Sequence, residues 1–259
     1  MRISIYQVDA FAAVPFTGNP AAICPLDEWL PDPLMQAIAA ENNLAETAFF
    51  VREAGAYRLR WFTPAVEVDL CGHATLASAY ILWEKLGFAG DVVTFETRSG
   101  VLHVTRDHDI IALDFPSRPP AACEVHPALL AALGGAPREV LAARDYFVVF
   151  DSQAEVEALT PNFAALSKVD RFAVIATAPG DEHDFVSRFF APAQGIDEDP
   201  VTGSAHCTLT PYWSARLAKP KLKAKQISPR GGVLLCEDRG DRVSIAGKAV
   251  LYLEGSISV

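Results

Sequence analysis

One short construction occurs twice in this chain, and it limits the folds that the chain can adopt. The segment Asp69-Leu-Cys-Gly72-His-Ala-Thr75 leads into an apolar stretch that stops near Gly87. Much later, Asp199-Pro-Val-Thr-Gly203-Ser-Ala-His206 leads into a second apolar stretch that reaches Leu217. Each segment predicts a helix that begins at a glycine, a residue that lets the backbone approach a ligand or another element closely.

The flanks of the two segments repeat as well, in the same order. The matching pairs are Phe62-Thr-Pro64-Ala65 with Phe190-Ala-Pro192-Ala193, and Arg98-Ser-Gly100-Val-Leu102 with Arg230-Gly-Gly232-Val-Leu234. All three anchors lie about 130 residues from their counterparts, and self-similarity at one offset is typical of a duplicated unit. The 259 residues have room for two such halves, each within the usual size of a domain.

The domain boundary is predicted at Pro116-Ser-Arg-Pro119-Pro120, the strongest linker signal in the chain. We therefore expect domains 1–117 and 118–259, and the sequence leaves open whether the last strand, near 250–259, rejoins the first domain. Each half combines many short strand-like segments with one apolar helix, which predicts an α+β fold with a curled antiparallel or mixed sheet around a central helix. Pro211 should kink or shorten the second helix.

Composition excludes several classes of protein. A net charge of −10 and a pI near 5.0 argue against binding to nucleic acid or to an anionic membrane, since both need clustered lysine and arginine. The five cysteines are odd in number and show no CxxC spacing, so we expect reduced thiols in a cytoplasmic protein. No signal peptide or apolar span of 18 residues is visible, and we expect neither export nor a membrane anchor.

The two glycine-led helix starts are the first candidate site. Backbone N–H groups at Gly72, His73, Gly203 and Ser204 could hold a carboxylate, because the first turn of a helix carries unpaired donors and the positive end of the helix dipole. In a duplicated protein the two starts could face one ligand in a shared cleft. The alternative is that both glycines only permit tight packing, and spacing alone leaves the two open.

Glu46 is the second candidate. It belongs to a predicted strand from Leu44 to Val51, where the period of two places it on one face with Leu44, Ala48 and Phe50. A carboxylate among apolar neighbours loses solvation, which favours its protonated form and suits it to proton transfer near neutral pH. The alternative is an edge residue that points into water.

For three further polar residues, a functional role has to be weighed against a purely structural one. His73 could act as an acid, a base or a hydrogen-bond donor, or it could cap or pack against its helix. Asp199 could carry a proton opposite Glu46, but its place before Pro200 also suits a plain N-cap. Ser204 has no histidine and aspartate spacing that would make it an acyl-enzyme nucleophile.

Metal and nucleotide sites lack support in the sequence. Cys71-Gly-His73 together with His206-Cys207 superficially suggests a metal site, but neither spacing is usual for zinc ligands. No glycine-rich loop of the P-loop or GxGxxG type is present. We therefore expect no metal and no nucleotide cofactor.

Five motifs in order carry a resemblance to a known family. They are Gly18-Asn19-Pro20-Ala-Ala22, Glu46-Thr-Ala-Phe49, Cys71-Gly-His-Ala-Thr75, Asp199-Pro-Val-Thr-Gly-Ser-Ala205 and Arg230-Gly-Gly232. Together they resemble the PhzF (phenazine-biosynthesis) isomerase family and, more distantly, diaminopimelate epimerase. The match covers essentially the whole chain.

The resemblance implies two pseudo-symmetric domains, each a β-barrel around a central helix, with a cofactor-free and metal-free active site in the cleft between them. It implies that Glu46 shuttles the proton and that His73, Asp199 and Ser204 line the site. Family members are commonly homodimers. Substrate identity does not carry over, because Ala74-Thr75 follow the Gly-His pair here where the phenazine enzyme has a proline.

The expected function is therefore a cofactor-independent isomerase that moves a proton on a small carboxylate substrate. Glu46, Asp199 and His73 are the expected catalytic residues, and the expected substrate-binding residues are Asn19, Gly72, Thr202, Gly203 and Ser204. One alternative is an amino-acid racemase or epimerase on the same fold. Another is a non-catalytic protein that binds small molecules or partners.

Overall fold

The computed structural model describes residues 1–53 and 55–259, which form 18 strands and six α-helices. The strands are β1 (Arg2–Ala10), β2 (Asn19–Leu26), β3 (Glu46–Glu53), β4 (Ala56–Phe62), β5 (Glu67–Val68), β6 (Val92–Thr97), β7 (Gly100–Asp107), β8 (Ile110–Pro116), β9 (Ala121–Ala122), β10 (Glu139–Ala142), β11 (Tyr146–Val149), β12 (Val174–Pro179), β13 (Phe185–Ala191), β14 (Ile196–Asp199), β15 (Lys221–Gln226), β16 (Gly232–Asp238), β17 (Arg242–Gly247) and β18 (Ala249–Ser258). The helices are α1 (Asp32–Asn42), α2 (Gly72–Glu84), α3 (Leu129–Leu133), α4 (Gln153–Glu157), α5 (Phe163–Leu166) and α6 (Gly203–Leu217).

The chain divides into two compact units. The first consists of Met1–Asp114 together with Ala246–Val259, and the second of Phe115–Ile245. The last strand, β18, pairs antiparallel with β1, from Arg2 opposite Ser258 to Ala10 opposite Ala249. It therefore lies in the first unit, which is one of the two arrangements that the sequence left open.

The two units repeat one order of strand pairing. In the first, β2 pairs parallel with β3, β3 antiparallel with β4, β4 antiparallel with β5 and parallel with β6, and β6 antiparallel with β7. In the second, β11, β12, β13, β14, β15 and β16 follow the same series of parallel and antiparallel pairs. Helix α2 follows β5 as α6 follows β14. The repeated sequence therefore corresponds to a repeated topology.

Both long apolar helices are enclosed by their own unit. In α2 every residue from 73 to 79 is buried, and seven consecutive residues cover all directions around a helix. Helix α2 packs on β1, β2, β3, β7 and β18, whereas α6 packs on β15 and β16. The expected α+β class is confirmed. Within the described residues, no helix is long and apolar enough to cross a membrane.

Pro211 does not shorten α6, which has 15 residues against 13 in α2, so shortening, one of the two effects expected of this proline, is wrong. Proline has no N–H group and cannot donate to the carbonyl four residues earlier. That carbonyl belongs to Cys207, and it accepts the backbone N–H of Arg118 at 2.9 Å instead. A neighbouring segment thus replaces the hydrogen bond that the proline removes.

Gly18 places Asn19 at the start of β2. Its φ is +69°, and a Cβ atom there would lie 2.2 Å from the carbonyl oxygen of Ala10. Only glycine tolerates both that conformation and that approach. The turn brings Asn19 opposite Ala10 in β1, where its side chain is buried.

Candidate active site

The start of α2 brings three polar side chains together inside the first unit. Cys71 is the N-cap residue in an extended conformation, Gly72 opens the helix, and His73 is buried in its first turn. Glu46 is the first residue of β3, and it lies beside Ala21 of the parallel neighbour β2. Because α2 packs on both β2 and β3, the carboxylate of Glu46 reaches the first turn of α2.

His73 has a polar neighbour at each ring nitrogen. Its Nε2 lies 3.1 Å from Oε2 of Glu46, and these side chains are only 6% and 13% exposed. Its Nδ1 lies 3.3 Å from the amide nitrogen of Asn19 and 3.5 Å from Sγ of Cys71. Within the described residues, neither Nε2 of His73 nor Oε2 of Glu46 has a well-aligned hydrogen-bond partner. The two atoms therefore face each other in a buried site and are available for proton exchange.

The electrostatics of this cluster follow from burial and from Glu46. Burial by itself lowers the pKa of His73, but the interactions of the ring with Cys71 and Glu46 raise that pKa well above its usual value. Burial, supported by the charge of Glu46, raises the pKa of Cys71 to about 11. The thiol of Cys71 is thus neutral near pH 7, and the Glu46 carboxylate is the negative charge that favours a protonated His73.

The start of α6 has a different polar network, inside the second unit. Asp199 ends β14, and its Oδ2 accepts a short hydrogen bond from the hydroxyl of Thr202, the N-cap residue of α6. Gln226 ends β15; its Oε1 accepts the backbone N–H of Thr202 at 2.8 Å, and its Nε2 donates to the carbonyl of Asp199 at 2.7 Å. All three residues are buried. The amide of Gln226 thus holds both ends of the turn that presents Asp199.

His206 supports this turn from within the helix. Its Nδ1 lies 2.8 Å from the carbonyl oxygen of Thr202, and burial lowers its pKa to about 4. The ring is therefore neutral near pH 7, so Nδ1 carries the proton and donates it to that carbonyl. His206 acts as a structural donor, and among the residues that the structure describes no carboxylate contacts it as Glu46 contacts His73.

The structure places an arginine beside the start of α6, and the sequence did not suggest this residue. Nη2 of Arg144 donates to Oγ of Ser204 at 3.3 Å, and Nε and Nη2 both bind the buried carboxylate of Asp145 at 3.0 Å. The guanidinium also lies over the ring of Phe172, 4.3 Å from its centroid. Arg144 is thus held in one orientation beside the first turn of α6.

The predicted site residues separate into two groups. Asn19, Glu46, Gly72 and His73 belong to the first unit, and Asp199, Thr202, Gly203 and Ser204 to the second. Contacts join Asn19, Glu46 and His73 in one group and Asp199 and Thr202 in the other. The sequence missed Gln226 and Arg144, because a glutamine at a strand end and an arginine in a loop carry no recognisable spacing.

Comparison with solved structures first defines the class of fold. A hydroxyproline epimerase from Agrobacterium vitis, crystallised with bound trans-4-hydroxy-L-proline, superimposes with a TM-score of 0.63. It is 12% identical, and the match covers 99% of this chain and 92% of that one. At this identity the likeness concerns the fold alone. The chain thus has the sheet-rich α+β fold that also occurs among epimerases.

Closer relatives define the family. The model of phenazine biosynthesis-like proteins matches residues 8–255. An uncharacterized isomerase of Pseudomonas aeruginosa is 55% identical over 257 residues, which are 99% of each chain. A PhzF-family protein from Enterococcus faecalis superimposes with a TM-score of 0.98 at 48% identity over 100% of both chains. The chain belongs to the PhzF family, and the resemblance of the five motifs is confirmed.

Proposed function

We propose that this protein is an isomerase that moves a proton on a small carboxylate substrate, with Glu46 as the general acid and base. The observation that carries the proposal is the buried contact of 3.1 Å between Oε2 of Glu46 and Nε2 of His73. A carboxylate in such a place can take a proton from a carbon and return it to another, and the imidazole can supply or hold a proton beside it. Relatives over 50% identical carry the name isomerase.

The substrate carboxylate is proposed to bind at the helix starts. Within the described residues, neither the N-cap side chain of α2 nor that of α6 accepts a hydrogen bond from the backbone N–H groups of its own helix. The first-turn N–H groups at Gly72 and Gly203 are therefore available to an anion. Ser204 and the guanidinium of Arg144 add donors at α6. These local donors favour an anion although the whole chain carries a net charge of −10.

We further propose that each unit closes into a barrel and that Asp199 is a second proton carrier. We also propose that the protein acts without a cofactor, as a homodimer, in the cytoplasm. Membership of the PhzF family supports these expectations.

Solvent exchange tests the proposal without a known reaction product. The protein is incubated in deuterated buffer with a panel of small carboxylic acids that carry a C–H bond next to an activating group. Deuterium incorporation is followed by NMR. We expect at least one acid to exchange, and we expect Glu46→Gln to slow that exchange by about 10²- to 10⁴-fold, the usual contribution of a general base.

The matched control is Glu41→Gln, which removes an exposed carboxylate on α1. It should exchange at the wild-type rate. Equal exchange by wild type and Glu46→Gln would contradict the role of Glu46.

A further inference from the structure

The cluster at the start of α2 contains three different kinds of metal ligand. One carboxylate oxygen of Glu46, the sulfur of Cys71 and one ring nitrogen of His73 all lie within 4.8 Å of one another. Two of the contacts are already short: Oε2 of Glu46 lies 3.1 Å from Nε2 of His73, and Sγ of Cys71 lies 3.5 Å from Nδ1 of the same ring. A cation bonds only one ring nitrogen, so a cation on Nε2 would draw the sulfur of Cys71 towards it. Cys71 and His73 are buried, and Glu46 is nearly so.

These separations are close to those of a zinc site. Zinc binds sulfur at about 2.3 Å and nitrogen or oxygen at about 2.0–2.2 Å, so that neighbouring ligands in a tetrahedron lie roughly 3.3–3.8 Å apart. The longest separation here would have to shorten by about 1 Å, which small side-chain rotations supply. Three protein ligands also leave the fourth position open, as in zinc sites that bind a small molecule.

A second observation points to a ligand at this place. Oε2 of Glu46 and Nε2 of His73 are buried polar atoms without a well-aligned hydrogen-bond partner among the described residues. Buried polar atoms are normally satisfied, because an unpaired one costs free energy. A cation between the two atoms and the sulfur of Cys71 would satisfy both.

We propose that Glu46, Cys71 and His73 form a binding site for a thiophilic divalent cation, with Zn²⁺ as the natural candidate, and that the bound cation blocks proton transfer. A donor set of one sulfur, one nitrogen and one oxygen suits zinc and cobalt better than magnesium or calcium, which take oxygen ligands. Binding releases to solvent the thiol proton of Cys71 and the proton at the ligating nitrogen of a protonated His73, with no change of oxidation state.

Metal binding and proton transfer exclude each other at this site. A metal bonded to a ring nitrogen of His73 occupies the only lone pair of that nitrogen, and its positive charge makes the bound carboxylate of Glu46 a weaker base. Zinc should therefore act as a reversible inhibitor that a chelator removes. The binding itself depends only on the three side chains; the loss of turnover rests on the function proposed above.

Cobalt(II) tests the binding by a readout that needs no substrate. The full-length reduced protein, freed of metal by a chelator, is titrated with Co²⁺ while the thiolate-to-cobalt charge-transfer absorption in the near ultraviolet is recorded. We expect the band to saturate at one equivalent and to disappear when Zn²⁺ is added. Cys71→Ser should lose the band. Glu46→Gln should keep it but bind at least about tenfold more weakly, since even outer-shell changes weaken metal sites by that factor.

Two other buried thiols supply matched controls. Cys24→Ser removes a thiol of the first unit outside the cluster, and Cys207→Ser removes the thiol next to His206. Both should keep the band and the affinity, and thermal unfolding verifies that each variant is folded.

A band that is absent from the wild type, or that persists in Cys71→Ser, would overturn the site. If Cys71→Ser does not fold, Glu46→Gln decides, because an unchanged affinity there also overturns the site. A failure of the proposed isomerase would show differently, as a normal cobalt spectrum in a protein that exchanges no acid.

Discussion

The starts of α2 and α6 share a sequence pattern but differ in what surrounds their histidines. His73 is the second residue of α2, whereas His206 is the fourth residue of α6. Two helical positions correspond to a rotation of about 200°. His73 therefore reaches Glu46 beside the helix start, and His206 donates inward to the carbonyl of Thr202. One repeated backbone thus presents a charged pair in one unit and a neutral structural histidine in the other.

The carboxylates reach the two helix starts by different routes. Glu46 comes from a neighbouring strand, β3, and contacts His73 directly. Asp199 comes from the strand just before α6 and is fixed by Thr202. The helix start is thus repeated in both units, whereas the acid that contacts it comes from a different position in each. Four predictions test how far this asymmetry reaches.

The largest expected effect concerns the two acids. Glu46→Gln should slow the proton exchange of a responsive carboxylic acid by about 10²- to 10⁴-fold, and Asp199→Asn should slow it less, because Glu46 carries the transfer. Parallel exchange rates by NMR measure both. A larger loss in Asp199→Asn would reverse the roles assigned to the two units.

The second effect concerns the amide that holds the α6 turn. Gln226→Leu should lower the free energy of unfolding by up to about 3 kcal/mol, because it leaves the backbone N–H of Thr202 buried without its acceptor. Urea denaturation measures the loss. Gln226→Glu keeps an acceptor for that N–H but replaces the donor to the carbonyl of Asp199 by a second buried oxygen, so it should destabilise the protein as well. Equal stability of Gln226→Leu and wild type would show that the turn does not depend on this amide.

The third effect is the contribution of His206, in the second unit, to the pH dependence of the free energy of unfolding. The unfolded chain protonates His206 near its ordinary pKa of 6.5, whereas the folded chain resists protonation down to about 4. Stability is therefore fully present above 6.5 and is lost as the pH falls towards 4. From pH 7 to pH 5 the loss should be about 2 kcal/mol.

Denaturation at the two pH values measures this loss in the wild type and in His206→Gln, which should have a shallower dependence. His103→Gln, which removes an exposed ring, serves as the control and should keep the wild-type dependence. An unchanged slope in His206→Gln would place the acid sensitivity elsewhere.

The smallest effect concerns the two thiols near the helix starts. Burial raises the pKa of both Cys71 and Cys207 to about 11, so neither is a thiolate base near pH 7. Cys71→Ser and Cys207→Ser should each change proton exchange by less than about threefold. Abolished exchange in both variants would favour the alternative of a racemase or epimerase, with these two thiols as the groups that carry the proton.

The sequence predicted the parts of the site that are local. A glycine before an apolar run indicates a helix start, and the period of two places Glu46 on a strand face, because both signals depend on a few neighbouring residues. The five ordered motifs were sufficient to identify the family. Gln226 could not be predicted, since it lies at the end of β15, 24 residues after Thr202 in the chain. Only folding brings its amide oxygen to the backbone N–H of Thr202.

The sequence was thus sufficient to predict a duplicated unit, two helices that begin at a glycine, and the polar residues available to the site. Tertiary structure alone decided that Glu46 rather than another acid meets His73, that β18 pairs with β1, and that Arg118 satisfies the carbonyl left open by Pro211. The physical reason is the range of the interactions. Helix and strand signals come from adjacent residues, whereas the partner of a buried charge or carbonyl is whichever group the packed chain brings within hydrogen-bond distance.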